Sequence, residues 1–355
     1  MTASGTIVLE ETDAAGIASA LLDARRDAGS PAMGMVMTLV IVVPDEDAEE
    51  ALAAAREAAR EHPSRLLAVV IGSGRGASAI RAEIRTGAGA VGEMALIRLS
   101  GEVTRHPESV VLPLLLPDSP VVVWWPTDAP DDPAGDPLGA LASRRITDAA
   151  QARSRRTQAL LVQCASYAEG NTDLAWTRLT PWRALLAAAM DQVDVRVSGI
   201  SISAERVSPS ADLLGAGLAD RLRAPLERHR SQGPGITDVT LTTRRGDISV
   251  TRPDGRLATL SVPGAPDRPV ALRRRDIPEL LAEELRRLDP DDIYAATVKR
   301  LTRMNAEEGS AADAGKPAKK PDKKPASKPA GKPGDTAARR RSAGEQSGGN
   351  TEGPS

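Results

Sequence analysis

The chain of 355 residues contains no phenylalanine, and aromatic residues make up only 2% of it. Its core must therefore be filled by Leu, Val, Ile and Ala, and each of the four tryptophans carries unusual weight. There is one cysteine, Cys164. That excludes an internal disulfide and a CxxC motif, and it fits a reducing cytosol. The three histidines, His62, His106 and His229, are far apart and lack ligand spacing, so no metal site is expected. The start has no basic region leading into an apolar one, which argues against a secretory signal. The longest apolar-rich stretch, 32–43, falls short of the roughly 20 residues that span a membrane. A soluble, cytoplasmic protein is expected. Neither a G-x-S-x-G elbow nor a G-x-x-x-x-G-K-[ST] loop occurs. Lysine is absent from the body except at Lys299, which otherwise uses arginine.

Charge is uneven. From Lys316 onward there are ten Lys/Arg against four Asp/Glu, so this stretch carries +6 and the remainder −8. Residues 305–355 are rich in Ala, Lys, Pro, Gly and Ser and cannot bury enough apolar surface to offset their ordering entropy. A disordered tail is expected. A polybasic arm of this kind finds nucleic acid or an acidic partner. Without aromatics between the lysines, single-strand stacking is disfavoured and a solvated tail is the simpler reading.

What is there is a regular alternation. Apolar runs at 33–43, 66–71, 94–99 and 121–125 read as strands buried on both faces, and the stretches 13–28, 45–61, 77–85 and 155–167 between and after them read as helices. This predicts an α/β domain over 1–191 with a mostly parallel sheet. At 173–191, Thr180-Pro181 is a good helix start, so two abutting helices or one kinked helix is expected. The pattern then changes. Val193, Val195 and Val197 alternate with polar residues, and beyond Gly199 the parity shifts to Ile200 and Ile202, which predicts a bulge. A helix from Ser208-Pro209 carries apolar residues through Leu226. Strands at 236–243, 247–252, 257–262 and 269–274 follow at hairpin spacing, and two helices, 277–288 and 293–304, close the segment. Residues 192–304 therefore read as an α+β domain with an antiparallel sheet.

Two features invite a chemical reading. Gly72-Ser73-Gly74-Arg75-Gly76-Ala77 follows a strand and formally matches G-x-G-x-x-G/A, the loop that admits a dinucleotide pyrophosphate, with Gly72, Gly74 and Ala77 at the key positions. Glu102 lies near where a ribose-binding acid would sit. The following helix is short and its charges fall where close packing on a sheet is needed, so a surface loop is the competing reading. This loop supports the alternative of a nucleotide- or sugar-phosphate-binding protein or enzyme. Second, Arg144-Arg145 and Arg153, Arg155 and Arg156 are forks suited to phosphate or carboxylate. Cys164 sits on the apolar run 159–162, which favours an inert thiol over a nucleophile.

The run PVVVWWP at 120–126 ends in adjacent tryptophans, whose side chains must point to opposite faces of a strand. It opens into an acidic, Pro-rich loop at 127–133. Together with DPLGALASRRITD at 136–148, DLAWTRLTPWR at 173–183 and HPSR at 62–65, it resembles the glucose-6-phosphate dehydrogenase assembly protein (OpcA) family, in its actinobacterial form. The resemblance covers about residues 10–304. It implies a non-catalytic protein without a cofactor that binds glucose-6-phosphate dehydrogenase and favours its active oligomer in the oxidative pentose phosphate pathway. Relatives in cyanobacteria are linked to thioredoxin control through paired cysteines; Cys164 alone cannot form such a switch. Trp and Arg are enriched at interface hot spots. Trp124, Trp125, Arg144, Arg145, Trp176, Arg178, Trp182 and Arg183 are therefore candidates for partner contact, with core anchoring the alternative for the tryptophans. Arg178 and Trp182, four apart, are placed to stack if the helix is continuous. The sharper expectation is that the Trp pair anchors the sheet and that Asp128, Asp131 and Asp132 on the loop beyond it meet the partner.

Overall fold

The computed structural model describes residues 5–27, 34–86, 93–193 and 195–314. In chain order, β1 (Gly5–Leu9) leads through α1 (Ala14–Asp27), β2 (Met37–Val42) and α2 (Ala48–Ala58) to β3 (Ser64–Ile71). Then come β4 (Ala79–Thr86), β5 (Met94–Ser100), α3 (Pro107–Val111), β6 (Val121–Trp124) and β7 (Arg144–Thr147). After α4 (Arg156–Ala165), β8 (Asn171–Asp173) runs directly into α5 (Leu174–Thr177) and then α6 (Thr180–Met190). The remainder is β9 (Val197–Ala204), α7 (Pro209–Leu222), β10 (Leu226–Arg230), β11 (Ile236–Thr243), β12 (Gly246–Thr251), β13 (Leu257–Ser261), β14 (Arg268–Ala271), α8 (Ile277–Leu285) and α9 (Asp292–Ala314).

Among the described residues the first sheet has eight strands in the order β1-β4-β5-β3-β2-β6-β7-β8. From β5 to β8 every pairing is parallel, and β4 and β1 are antiparallel additions at one edge. The near-continuous apolar runs of β2, β3 and β6 are buried along almost their whole length, as central parallel strands demand. One face carries α1 and α3: Ile17, Leu21 and Val110 pack with Val40, Val69 and Ile97. The other face carries α2 and also α8, whose Leu280, Leu281 and Leu285 join Leu52, Ala55 and Ile146. A helix more than a hundred residues downstream thus completes the layer over the first sheet.

Residues 79–86 are a strand, which corrects the helix expected at 77–85. Ala82 and Ile84 point into the core while Arg81, Glu83 and Arg85 alternate outward. The outward charges are paired: Glu83 with Arg98 at 2.6 Å, Arg85 with Glu49 and Arg81 with Glu10 at 3.2 Å. Cross-strand ion pairing lets a strongly charged sequence occupy a strand that period-two packing alone would favour weakly.

The second sheet runs β10-β9-β11-β12-β13-β14. It is mixed, not antiparallel as expected, because β10 lies parallel to β9. The reason is local. Arg223 takes a left-handed conformation (φ 51°) that ends α7 and turns the chain back, so the stretch assigned to the helix at Leu226 becomes a strand. Opposite β11, Thr242 faces Gly199 while Thr243 faces Val197, leaving Ser198 as the extra residue of the expected bulge. The core here combines Ile200, Ile202, Val239 and Leu241 with Leu213 and Leu214 of α7, Trp182 and Leu186 of α6 and Tyr294 and Val298 of α9. The last helix continues to Ala314, past the residue 305 at which a disordered tail was expected to begin. The rest of that expectation, 315–355, lies outside the described residues.

Candidate functional site

Three of the four sequence motifs lie along β6, β7 and β8 and the segments next to them, while His62-Pro63-Ser64-Arg65 stands apart at the start of β3. Trp124 and Trp125 lie on opposite faces, as the strand period requires. Trp124 packs among Ile146, Leu174 and Leu281, and Trp125 among Val110, Leu114 and Leu138. Both are at most 3% exposed. The Trp125 amide donates to Ile146 O at 2.9 Å, carrying sheet pairing one residue past β6.

The loop that follows is folded by its own carboxylates. Asp132 Oδ1 accepts from the amides of Ala134 (3.2 Å) and Gly135 (3.1 Å), and Asp136 Oδ1 from those of Leu138 (2.9 Å) and Gly139 (3.1 Å). Gly139 is required by close approach: a Cβ there would stand 1.8 Å from Pro133 O and 3.1 Å from the Trp125 ring. Asp128 accepts from the Arg153 amide at 3.0 Å and faces its guanidinium at 3.7 Å. The Asp131 carbonyl accepts from Ser166 Oγ at 2.5 Å. The Asp131 side chain is exposed and has no partner among the described residues. Of the three aspartates expected to meet a partner, all are exposed, but Asp132 also shapes the loop and Asp128 is shared with Arg153.

The arginines of the motif are internal. Arg145 donates from Nε to Asn171 Oδ1 (2.5 Å), from Nη1 to Ala142 O (2.7 Å) and from Nη2 to Glu169 O. Burial pushes its guanidinium below the usual range, and neighbouring Arg144 adds to this. Gly170 beside it sits at φ 89°, where a Cβ would meet Ser143 O at 2.3 Å. Arg144 reaches 140 residues along the chain to Glu284 at 2.6 Å and to Asp289 O at 3.2 Å. Glu284 also accepts from Thr177 Oγ1 at 2.6 Å. Burial raises the Glu284 carboxyl, with Arg144 opposing. Arg178 forms a bidentate pair with Asp148 at 2.7 and 2.8 Å. Burial pushes the Asp148 carboxyl up to about 6 even though Arg178 pulls it down. Asp173 accepts from the Ala175 amide (2.7 Å), Thr147 Oγ1 (2.6 Å) and the Ala149 amide (2.9 Å), so one carboxylate caps α5 and ties it to the end of β7.

The stack expected between Arg178 and Trp182 does not form. Helix α5 ends at Thr177, α6 begins at Thr180, and Asp148 holds the Arg178 guanidinium. Two other arginines stack instead: Arg183 over Trp176 at 3.9 Å and Arg252 over Trp182 at 4.9 Å. Trp176 Nε1 donates to Asp291 at 2.9 Å, and Arg183 Nη2 to Thr180 Oγ1 at 3.0 Å. The acids that complete this network are Asp148, Asp173, Glu284 and Asp291. The first two stand inside the motifs and were open to recognition as the counter-ions of motif arginines and as a helix cap. The last two have no local signal, because they lie over a hundred residues from their partners.

The other candidates stay apart from this cluster. After Gly72–Ala77 comes strand β4, so the glycine loop does not open a helix as a dinucleotide loop does. Glu102 pairs with Arg105 at 2.9 Å. Cys164 is buried and its thiol is pushed up to about 12 by desolvation, which makes it inert. Arg153 is held at the surface by Glu46 (2.7 Å) and Asp47 (2.6 Å). No group of three metal-ligating side chains gathers among the described residues, and none of their helices is long and apolar enough to cross a membrane.

Two family models match. Residues 55–165 match the N-terminal domain of the glucose-6-phosphate dehydrogenase subunit, and residues 169–298 match its C-terminal domain. The chain belongs to the glucose-6-phosphate dehydrogenase assembly (OpcA) family. The boundary between the matches falls just before β8, so the C-terminal family segment supplies the last strand of the first sheet as well as α8 over it. No curated protein matches this OpcA-family chain. Several solved structures do, distantly. A 3-ketoreductase from Actinomadura kijaniata is 9% identical over 76% of this chain and 96% of its own, with a TM-score of 0.43. An oxidoreductase from Sinorhizobium meliloti is 11% identical over 78% and 98%, with a TM-score of 0.43. A D-galactose-1-dehydrogenase from Rhizobium etli is 13% identical over 78% and 96%, with a TM-score of 0.39. Likeness at this level does not bear on activity.

Proposed function

We propose that this OpcA-family chain is a non-catalytic cytoplasmic protein that binds glucose-6-phosphate dehydrogenase and favours its active oligomer in the oxidative pentose phosphate pathway. The observation that carries the reading is the division of labour at the motif. Its tryptophans and Arg144 and Arg145 are buried and hold the framework, while the loop they support presents acidic side chains to solvent. We assign partner contact to Asp128, Asp131 and Asp132, and a positioning role to Trp124, Trp125, Arg144, Arg145, Trp176, Arg178, Trp182 and Arg183. An activator acts only by binding the active form of its partner more tightly than the inactive one. A rigid loop suits that task, because little ordering entropy is lost when it docks. We also propose that residues 1–191 and 192–304 are the two functional domains, the chain passing from one sheet to the other between them.

The test is co-purification with the dehydrogenase and measurement of its activity and sedimentation on adding this protein. Increased activity with a shift in oligomer size is expected. Absence of both association and activation sinks the proposal. For the loop, Asp131→Ala is expected to weaken activation with the urea midpoint unchanged, and Asp128→Ala, which also releases the Arg153 amide, to weaken it with a small fall in the midpoint. Asp132→Asn keeps an oxygen for the turn amides, and it separates loss of charge from loss of loop shape.

A further inference from the structure

A cavity of about 380 Å³ lies between α6, α7, α8 and the end of the second sheet. Six arginines line it: Arg156, Arg178, Arg252, Arg273, Arg274 and Arg275. Only Glu205 and Asp276 oppose them. Half of the arginines already have counter-ions: Arg178 pairs with Asp148, Arg273 with Glu279 and Arg275 with Glu283. The other three have none. Arg156 donates only to Ala152 O, Arg252 only to Leu272 O and Ile236 O, and Arg274 has no side-chain partner among the described residues.

Arg252 is the telling residue. It is 5% exposed, and its Nε is buried without a hydrogen-bond partner among the described residues. Burial pushes its guanidinium down to about 10, and Arg274 adds to the shift. Asp254 opposes the shift from outside the cavity lining without pairing with Arg252, and a buried cation left without a direct counter-ion stands where an anion is wanted. The field of the backbone has the same sign. The N-terminal ends of three helices contribute to the wall: Pro181 of α6, Ser208 and Pro209 at the start of α7, and Asp276 and Ile277 at the start of α8. Asp276 is engaged as a capping box with Glu279, so it is not free to neutralise the arginines. Leu179, Trp182, Ile236 and Leu272 give the wall an apolar part beside the polar Gln151 and Ser210. A bare inorganic ion would fill only some of this space and use none of that apolar part.

We propose that this cavity binds a small organic phosphate, its anionic group held by Arg156, Arg252 and Arg274 and its carbon skeleton lying against the Trp182 side. The site is independent of the assembly role, since it binds its ligand on the isolated protein. Titration calorimetry of the full chain at low ionic strength, with glucose 6-phosphate, ADP and inorganic phosphate as probes, tests it. One of the two organic phosphates is expected to bind with a stoichiometry of one, more tightly than inorganic phosphate, and to raise the melting temperature. Arg156 and Arg274 are exposed, so Arg156→Ala with Arg274→Ala is expected to fold normally and to weaken binding at least about tenfold for the loss of two charge-assisted contacts. Arg60→Ala, in the turn after α2 and outside the cavity lining, is expected to leave binding unchanged. Lack of saturable binding by either organic phosphate at millimolar concentration overturns the proposal. So does equal affinity of the double variant, or tighter binding of inorganic phosphate than of either organic probe.

Discussion

Breaking the Arg178–Asp148 pair from its two sides is expected to have unequal consequences. Asp148 has no exposed side-chain surface and Arg178 is 19% exposed, so both charges are largely withdrawn from water. Removing one partner of such a pair costs about 3–5 kcal/mol, because the other is left buried and uncompensated. Asp148→Asn strands a guanidinium that cannot give up its proton at any working pH. Its own stability is therefore expected to carry no pH dependence from this site between pH 5.5 and pH 7.5. Arg178→Met strands a carboxylate that can take up a proton. The folded-state value for Asp148 is already about 6 with Arg178 present, and loss of the arginine raises it further. A group with a raised folded pKa binds more protons folded than unfolded, so its variant is most stable below the unfolded value and loses stability as pH rises through the folded one. Arg178→Met is thus expected to recover about 1.4 kcal/mol for each pH unit of acidification below that folded value, relative to Asp148→Asn. Urea unfolding followed by tryptophan fluorescence reads both variants, since all four indoles are buried. Equal pH dependence of the two variants, or deficits under about 1 kcal/mol, would refute the reasoning.

Three further outcomes follow from the same interior. Trp124 Nε1 is buried without a partner, whereas Trp176 Nε1 donates to Asp291, so Trp176→Phe should lose about 1–3 kcal/mol more than Trp124→Phe in chemical denaturation. Gly139→Ala places a methyl against Pro133 O and the Trp125 ring, and a fall of several degrees in melting temperature is expected, with loss of loop-dependent activation. Native Cys164 should resist a thiol reagent at pH 8 and react fully in denaturant; rapid modification of the native protein would contradict its burial.

What the sequence disclosed was mainly local. Apolar runs with turn residues at their ends located β2, β3, β5 and β6, and the Thr180-Pro181 step located the start of α6. The parity change at Gly199 located the bulge. Strand β4 was hidden because helix-favouring Arg, Glu and Ala outweighed a real period-two alternation of Ile80, Ala82 and Ile84. Its ion pairs come from strands and helices distant in sequence, which no local pattern reports. Strand β10 was hidden because four of its five residues are exposed and it carries no apolar alternation. The motif residues were easy to single out, but their duties were not. Whether Arg144 faces a partner or Glu284 is settled by a helix 140 residues away. The cationic cavity is likewise assembled from residues between 150 and 277, and no segment of it is conspicuous alone.

The reach of α8 across to the first sheet bears on how the chain is made. The last strand of that sheet ends at Asp173, yet the helix that shields Trp124, Ile146 and Leu52 ends at Leu285. At a synthesis rate of about 5–20 residues per second, roughly 5–25 seconds pass between the emergence of the two. During that interval an apolar sheet face and the carboxylate-seeking Arg144 wait without their cover. The nascent chain is therefore expected to engage holding chaperones in this window, and ribosome-bound chains stalled at residue 200 should bind them more strongly than chains stalled beyond residue 320.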